Sequence, residues 1–305
     1  MINNLGKMFI KVIRHPSKII IWLSSHGFTK YIISDKTYLK LMCKQNLGYD
    51  INLKNPKTFN EKMQWLKLYD RNPNYVKLVD KYEVRSYLTE LIGEEYLIPL
   101  LGKWDKFEDI SFDALPNKFV LKCTHDSGGV FVVSDKSSVD KENLKKEINK
   151  RLKKNYFYFG REWPYKFVKP RILAEEYMID NTQGELIDYK LMVFNGKVKC
   201  SFTCTERFTD EGLKVTFFDR EWKKMPFERH YPSSLKEIAK PINYDKMIVI
   251  AEKIAMASHM KFARIDFYEA NGKLYIGEIT LYPGNGQEEF RPEKYDQILG
   301  SWLQL

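Results

Sequence analysis

Two Asn-Gly dipeptides, each set between apolar β-prone runs, constrain the fold of this chain more than any other feature. Asn195-Gly196 joins DYKLMVF to KVKCSFTCTE, and Asn271-Gly272 joins ARIDFYEA to KLYIGEIT. Asn-Gly readily adopts the left-handed backbone angles that close a tight antiparallel turn. The sequence therefore predicts two β-hairpins and, with them, antiparallel sheets.

Helical patterns separate the β-runs. Thr58, with Glu61 three residues later, forms the capping-box pattern of a helix start. Gly93 is placed to end another helix. The predicted helices cover 58–70, 79–93, 137–154 and 243–258. Helices mixed with antiparallel hairpins indicate the α+β class.

The change of pattern along the chain suggests a division into three regions. Residues 1–50 form a basic helical segment, and 51–117 form a further helical region. Residues 118–305 contain the β-runs, which we expect to form two lobes over 118–180 and 181–305.

Basic residues concentrate near the N-terminus. Residues 1–67 carry twelve Lys/Arg and three Asp/Glu, so most of the net charge of +10 lies there. Four basic residues recur at helical spacing, and Pro16 interrupts the pattern. They are Lys7, Lys11, Arg14 and Lys18. Residues 1–45 therefore pack on the body as a helix or bind an anionic membrane surface as an amphipathic one.

The composition and motifs also indicate the cellular compartment and exclude some classes of binding partner. The four cysteines form no C-x-x-C pair, which predicts reduced thiols in a cytoplasmic protein. The apolar run at 19–23 is far too short to span a bilayer. No RRM or KH signature is present, so we expect no nucleic-acid partner.

Two acids interrupt the second hairpin. A two-residue turn would place Asp266 and Glu278 on opposite faces, whereas a three-residue loop over 270–272 places them on one face with Arg264 and Thr280. We expect the three-residue loop, with the acids close enough for one or two divalent ions to bridge them. The alternative is a pair of solvent-facing acids paired with Arg264.

Three other stretches carry polar groups inside β-runs. Lys122 precedes a loop with Ser127, Gly128 and Gly129, whose backbone N–H groups can face an anion, although the P-loop spacing is missing. An ordinary hairpin with an edge lysine is the alternative. The others are the run AEEYMID at 174–180 and Lys190 in DYKLMVF.

Taken in their order along the chain, these motifs resemble those of the ATP-grasp superfamily. More narrowly, they resemble the teichuronopeptide-biosynthesis-type (TupA-like) ATP-grasp proteins of bacterial surface-polysaccharide clusters. The resemblance runs from about residue 45 to the C-terminus. It rests on NPKTFNEKMQWLKLYDRNP, LVDKYEVRSYL, KFVLKCTHDSGG, EEYM, DYKLMVFNGK, ARIDFY, GEITLYPGNG and RPEKYDQILG.

The resemblance implies two antiparallel lobes that clasp ATP and Mg²⁺. Asp266 and Glu278 would bind the metal. Thr280 stands where the superfamily usually has Asn, which leaves open whether one or two ions bind. Arg264 and Lys190 would act at the reacting phosphoryl or acyl group. The implied nucleotide contacts are Lys81, Lys122, Ser127, Gly128, Gly129, Glu176, Tyr177, Met178, Asp180 and Lys190.

The implied chemistry is carboxylate–amine ligation through an acyl phosphate, for which the enzyme needs no nucleophile of its own. The implied substrates are an amino acid and a uronic-acid-type sugar of a capsular or cell-wall polysaccharide. Work at the inner face of the membrane fits the basic N-terminus. A sugar phosphotransferase, a glycosyltransferase and a nucleic-acid binder are the alternatives.

Overall fold

The computed structural model describes residues 16–28, 32–180, 186–207 and 209–305. Its helices are α1 (Pro16–Ser25), α2 (Asp35–Leu47), α3 (Phe59–Tyr69), α4 (Tyr75–Val79), α5 (Glu83–Ile92), α6 (Lys141–Leu152), α7 (Phe157–Gly160), α8 (Tyr244–Ala257) and α9 (Lys294–Trp302).

Its strands are β1 (Leu100–Trp104), β2 (Phe119–Cys123), β3 (Val130–Val133), β4 (Ile172–Glu176), β5 (Asp188–Phe194), β6 (Lys197–Thr205), β7 (Lys214–Asp219), β8 (Glu228–Arg229), β9 (Phe262–Ala270), β10 (Lys273–Thr280) and β11 (Phe290–Arg291). The α+β prediction is confirmed.

The first sheet has four antiparallel strands in the order β1-β4-β2-β3. One face packs against α6 through a core that includes Phe119, Leu121 and Ile148. Strand β1 pairs with β4 and so belongs to this sheet. Strand β1 thus joins this sheet from the region assigned to the preceding helices, and the division of the chain into three regions stays a prediction.

The second sheet has five antiparallel strands in the order β10-β9-β5-β6-β7. Both Asn-Gly hairpins lie in it, as β5–β6 and β9–β10, which confirms the two predicted hairpins. Helix α8 covers one face, where Met247 and Ile254 join the main core. The four cysteines are buried and unpaired, as expected for reduced thiols.

The expected three-residue loop in the second hairpin is wrong. Ala270 pairs with Lys273 across a two-residue turn, in which Asn271 and Gly272 have φ of 51° and 77°. A β-bulge between Ile276 and Glu278 then restores the register, so that Glu278 lies directly opposite Asp266. A Cβ on Gly277 would lie 2.7 Å from the Tyr268 ring, so glycine suits the bulge.

The N-terminal helices pack onto the second sheet and onto α9. Thr58 and Glu61 form the predicted capping box at the start of α3. Helix α2 buries Tyr38, Leu39 and Met42, with Ile21 of α1 packed against them. The part of 1–45 that the structure describes therefore packs on the body. Lys7, Lys11 and Arg14 lie outside the described residues, and nothing is described of the Lys18 side chain. No described helix is long and apolar enough to cross a membrane.

Close contact between α9 and the start of α3 predicts that Gly300→Ala lowers the free energy of unfolding by about 2 kcal/mol. A Cβ there would press on the Lys57 carbonyl and lie 2.7 Å from the Thr58 carbonyl carbon, and backbone atoms cannot rotate away. Urea unfolding measures the effect. Ser301→Ala, at the exposed neighbouring position of α9, is the control for the effect of an alanine in this helix. Equal losses in both variants would contradict the packing argument.

Candidate active site

A strip of polar side chains crosses one face of the second sheet. In the strand register, Lys190 of β5 pairs with Asp266 of β9, which pairs with Glu278 of β10. Two pairs further along, and so on the same face, Arg264 lies opposite Thr280. Residues directly opposite each other share a face. The hairpin and its bulge therefore place all five predicted residues on one surface.

Asp266 is the centre of this strip. It is buried, and its carboxylate accepts hydrogen bonds from Lys190 Nζ at 2.5 Å and from Arg264 Nε and one terminal nitrogen at 2.6 and 2.8 Å. Burial alone would raise the pKa of Asp266, but the charges of Arg264 and Lys190 outweigh it and lower the pKa. The carboxylate is therefore ionised and available to a cation.

Glu278 faces the other lobe. Its side chain is 30% exposed, and its carboxylate lies 3.7 Å from Lys81 Nζ and 3.9 Å from Arg264. The Thr280 hydroxyl in the same strip is buried without a hydrogen-bond partner. Mg²⁺ is usually held by one or two carboxylates together with substrate phosphates. Asp266, Glu278 and Thr280 fit such a site, although no group of three His, Cys, Asp or Glu among the described residues could hold a metal unaided.

Lys122 extends from the first sheet toward this strip. Its ammonium lies 2.5 Å from Glu175, which also binds Arg85 at 3.1 Å. A small cavity of about 30 Å³ between the sheets is lined by Lys81, Lys122, Glu175 and Glu278. We call this space the interlobe cleft. It brings the predicted phosphate-binding lysines and the predicted metal ligands together.

Glu175 was missed by the sequence analysis, which selected Glu176. In the register, Glu175 lies opposite Val120, on the face that carries Lys122, whereas Glu176 lies opposite Phe119 at the strand end and is exposed. Alternation along the strand decides which acid enters the cleft. The pairing with β2 sets that alternation, and the run AEEYM contains no signal for it.

The loop between β2 and β3 lies beside the cleft. Lys81 binds it through the Asp126 carbonyl at 2.5 Å, and its backbone N–H donates to the Thr124 carbonyl at 3.2 Å. Ser127 and Gly128 are exposed, and Gly128 has φ of 79°, with open space where a side chain would begin. Backbone N–H groups in such a loop are open to an anionic ligand.

The segment after β4 holds the remaining predicted nucleotide contacts. Tyr177 and Met178 are half-buried and Asp180 is buried. Asn271 Nδ2 donates to the Ile179 carbonyl at 2.9 Å, which joins this segment to the β9–β10 turn. The segment thus lies at the junction of the two sheets, and its contacts with adenine and ribose stay predictions.

Glu162 is a second residue that the sequence analysis missed. It is 4% exposed and shares a cavity of about 130 Å³ with Arg264, Glu278 and Thr280. It lies in the aromatic-rich run GREWPYKF, where an acid among aromatic residues is the one available signal. Burial raises its pKa to about 7, an effect opposed by Lys67, increased by Glu278 and opposed again by Arg264.

The raised pKa of Glu162 predicts a pH-dependent difference in stability. Between its ordinary value of 4.5 and about 7, the folded protein keeps a proton that the unfolded chain loses, so rising pH destabilises the wild type. Glu162→Gln lacks this loss, and its stability relative to the wild type should rise by about 3 kcal/mol across the window. Urea unfolding at several pH values measures it, and a pH-independent difference would contradict the prediction.

Two antiparallel sheets that enclose a cleft between strand lysines and paired carboxylates form the ATP-grasp arrangement. The family model described as TupA-like ATPgrasp matches residues 61–304, which is four fifths of the chain. The chain therefore belongs to the TupA-like ATP-grasp family, which confirms the resemblance stated from its motifs. No curated protein sequence matches it significantly.

Several solved structures show a distant similarity. D-alanine–D-alanine ligase from Bacillus anthracis has 15% identity and a TM-score of 0.47, over 88% of this chain and 92% of that one. D-alanyl-alanine synthetase A from Vibrio cholerae has 11% identity and a TM-score of 0.45, over 80% and 68%. The ATP-grasp ligase PsnB, complexed with minimal precursor, Mg and ADP, has 11% identity and a TM-score of 0.41, over 79% of this chain and 63% of that one. At these TM-scores the family match alone carries the assignment.

Proposed function

We propose that the protein is an ATP-dependent carboxylate–amine ligase that forms an amide through an acyl phosphate. The observation that carries the proposal is the strip in which Asp266 and Glu278 lie directly opposite each other and face Lys81 and Lys122 across the interlobe cleft. Membership of the TupA-like ATP-grasp family supports the same activity.

The charges of the cleft suit a metal–triphosphate ligand. The cations Lys122, Lys190 and Arg264 each lie within hydrogen-bond distance of a carboxylate, at 2.5–2.6 Å. Bound phosphates would take over the lysine contacts, and Mg²⁺ held by Asp266 and Glu278, with Thr280 as a neutral ligand, would neutralise charge on the transferred phosphoryl group. Lys81 Nζ lies 3.7 Å from the Glu278 carboxylate, so it is close enough to the proposed metal site to bind the phosphates as well.

Arg264 has a separate role in the proposal. Its guanidinium is fixed by two bonds to Asp266 and lines the cavity beyond the cleft. The charges of Asp266 and Glu278 outweigh burial and raise its pKa, so it is a permanent cation. A fixed cation there stabilises the oxyanion that forms when an amine attacks the acyl carbon. The carboxyl carbon then loses its bond to phosphate oxygen, the phosphate leaves with that electron pair, and the attacking nitrogen gives one proton to the leaving phosphate.

We propose that the substrates are an amino acid and a uronic-acid-type sugar of a capsular or cell-wall polysaccharide. The resemblance to teichuronopeptide-type proteins supports these substrates. The basic segment 1–45 supports a position at the cytoplasmic membrane face. Three large apolar side chains within this segment are exposed, namely Trp22, Phe28 and Ile32. Liposome flotation that does not depend on anionic lipid would contradict the membrane proposal.

The ligase proposal is tested by ADP release from Mg-ATP with pooled amino acids and a panel of uronic acids, each added alone and together. We expect release that requires both a carboxylate and an amine. Release without an amine, together with a stable phosphorylated sugar, would instead indicate the phosphotransferase. Binding of a nucleotide sugar without ATP turnover would indicate the glycosyltransferase.

A further inference from the structure

A cavity of about 130 Å³ lies beside the interlobe cleft, on the far side of Arg264 and Glu278. It is large enough to admit the end of a small molecule. Arg264 and Glu278 line both this cavity and the proposed reaction centre. A ligand in the cavity would therefore lie next to the acyl group.

Glu162 is the acid of this cavity with no direct partner. It is 4% exposed, and across the described chain its carboxylate has no cation within 4 Å and no hydrogen-bond donor. Lys67 is the cation with the largest effect on the pKa of Glu162, and its ammonium is fully occupied. Its three donors bind the Gln64 side chain at 3.2 Å and the carbonyls of Gly160 and Asn285 at 2.8 and 2.7 Å.

Several other polar groups around Glu162 also lack partners. The Thr280 and Tyr282 hydroxyls and the Asn285 side-chain oxygen are buried without a hydrogen bond. Glu278 adds a second carboxylate, while Arg264 is bound at two points by Asp266. A buried carboxylate and unpaired acceptors are costly unless a ligand supplies donors and positive charge. An ammonium group supplies three donors and one positive charge.

We propose that this cavity is the binding site of the amine substrate, and that Glu162 binds its ammonium group. The inference rests on the proposed ligase function and adds to it a substrate class, a small primary amine that enters with its amino end first. The Ser127 loop and Tyr156 and Tyr165 close the cavity around that end. Glu162 thereby places the amine nitrogen beside Arg264, where the acyl carbon would lie, and the nitrogen attacks once the ammonium has given one proton to water.

The test compares two nucleophiles in Glu162→Gln. Hydroxylamine is largely uncharged above neutral pH, captures acyl phosphates as hydroxamates and needs no anionic partner. We expect the concentration of pooled amino acids that gives half-maximal ADP release to rise about tenfold or more, the effect of losing one charge-assisted hydrogen bond. Hydroxamate formation from Mg-ATP, the uronic acids and hydroxylamine should change less than about twofold.

Glu269→Gln is the matched control, because Glu269 is also 4% exposed but accepts its bonds from Asn243, near the end of β9 and outside the cavity. Glu269→Gln should change amide formation and hydroxamate formation by the same factor. If Glu162→Gln lowers amide and hydroxamate formation equally, Glu162 serves the phosphoryl step or the fold, and the inference is overturned. If the wild type forms amide but no hydroxamate, hydroxylamine cannot replace the amine and the inference also fails. If the wild type forms neither, the ligase function itself fails.

Discussion

Replacement of Asp266 by asparagine is expected to abolish ATP turnover and to lower the free energy of unfolding by about 3–5 kcal/mol. The carboxylate is 3% exposed and binds Lys190 and Arg264, so the substitution removes the nearest anion from two half-buried cations. The same substitution removes the buried ligand of the proposed magnesium site. ADP release and urea unfolding on one preparation measure the two effects.

Glu278→Gln separates the catalytic effect from the structural one. Glu278 is 30% exposed, and its cations lie at 3.7 and 3.9 Å, so we expect a stability change within about 1 kcal/mol. Turnover should still fall by about a thousandfold or more if Glu278 holds the metal. Normal turnover in a folded Glu278→Gln variant would contradict the metal assignment and favour a pair of acids that serves only the sheet.

Replacement of Glu175 by alanine is expected to weaken both the fold and ATP binding. Glu175 is buried and joins Lys122 to Arg85, so its loss leaves two cations near the cleft unpaired and costs about 3 kcal/mol of stability. Lys122 also loses the contact that directs it toward the other lobe. We therefore expect the Kd for Mg-ATP to rise about tenfold.

Glu176→Ala is the matched control, since it removes the neighbouring acid from the same strand. Glu176 is exposed, and its backbone N–H, which the substitution keeps, donates to the Pro99 carbonyl at 3.1 Å. We expect the free energy of unfolding to change by no more than about 0.5 kcal/mol and the Kd for Mg-ATP to stay unchanged. A larger loss of ATP affinity in Glu176→Ala than in Glu175→Ala would reverse this assignment and restore the choice made from the sequence.

The hairpins and long helices are predictable from sequence because local features determine them. Asn-Gly turns, the Thr58–Glu61 capping box and apolar periodicity act within a few residues. The register of the second hairpin also depends on Gly277, where the bulge compensates for a two-residue turn. A glycine inside a β-strand often marks a bulge, so the bulge could have been predicted from the sequence.

The sequence analysis missed Glu175 and Glu162 for a different reason. Glu175 enters the cleft because β4 pairs with β2 in a particular register, and Glu162 lies beside Arg264 because segments about a hundred residues apart fold together. Sequence spacing carries no record of such contacts. The predicted residues Lys190, Arg264, Asp266 and Glu278 were found through a family motif and a shared hairpin face.

The origin of the phosphate oxygen tests the central claim most directly. The uronic acid that supports ADP release would be labelled with heavy oxygen in its carboxylate and incubated with Mg-ATP and the amino acids. Attack of that carboxylate on the γ-phosphate predicts one labelled oxygen in the released phosphate and one in the amide. Phosphate without label would contradict an acyl phosphate, and with it the ligase mechanism proposed for the cleft between Lys122 and Asp266.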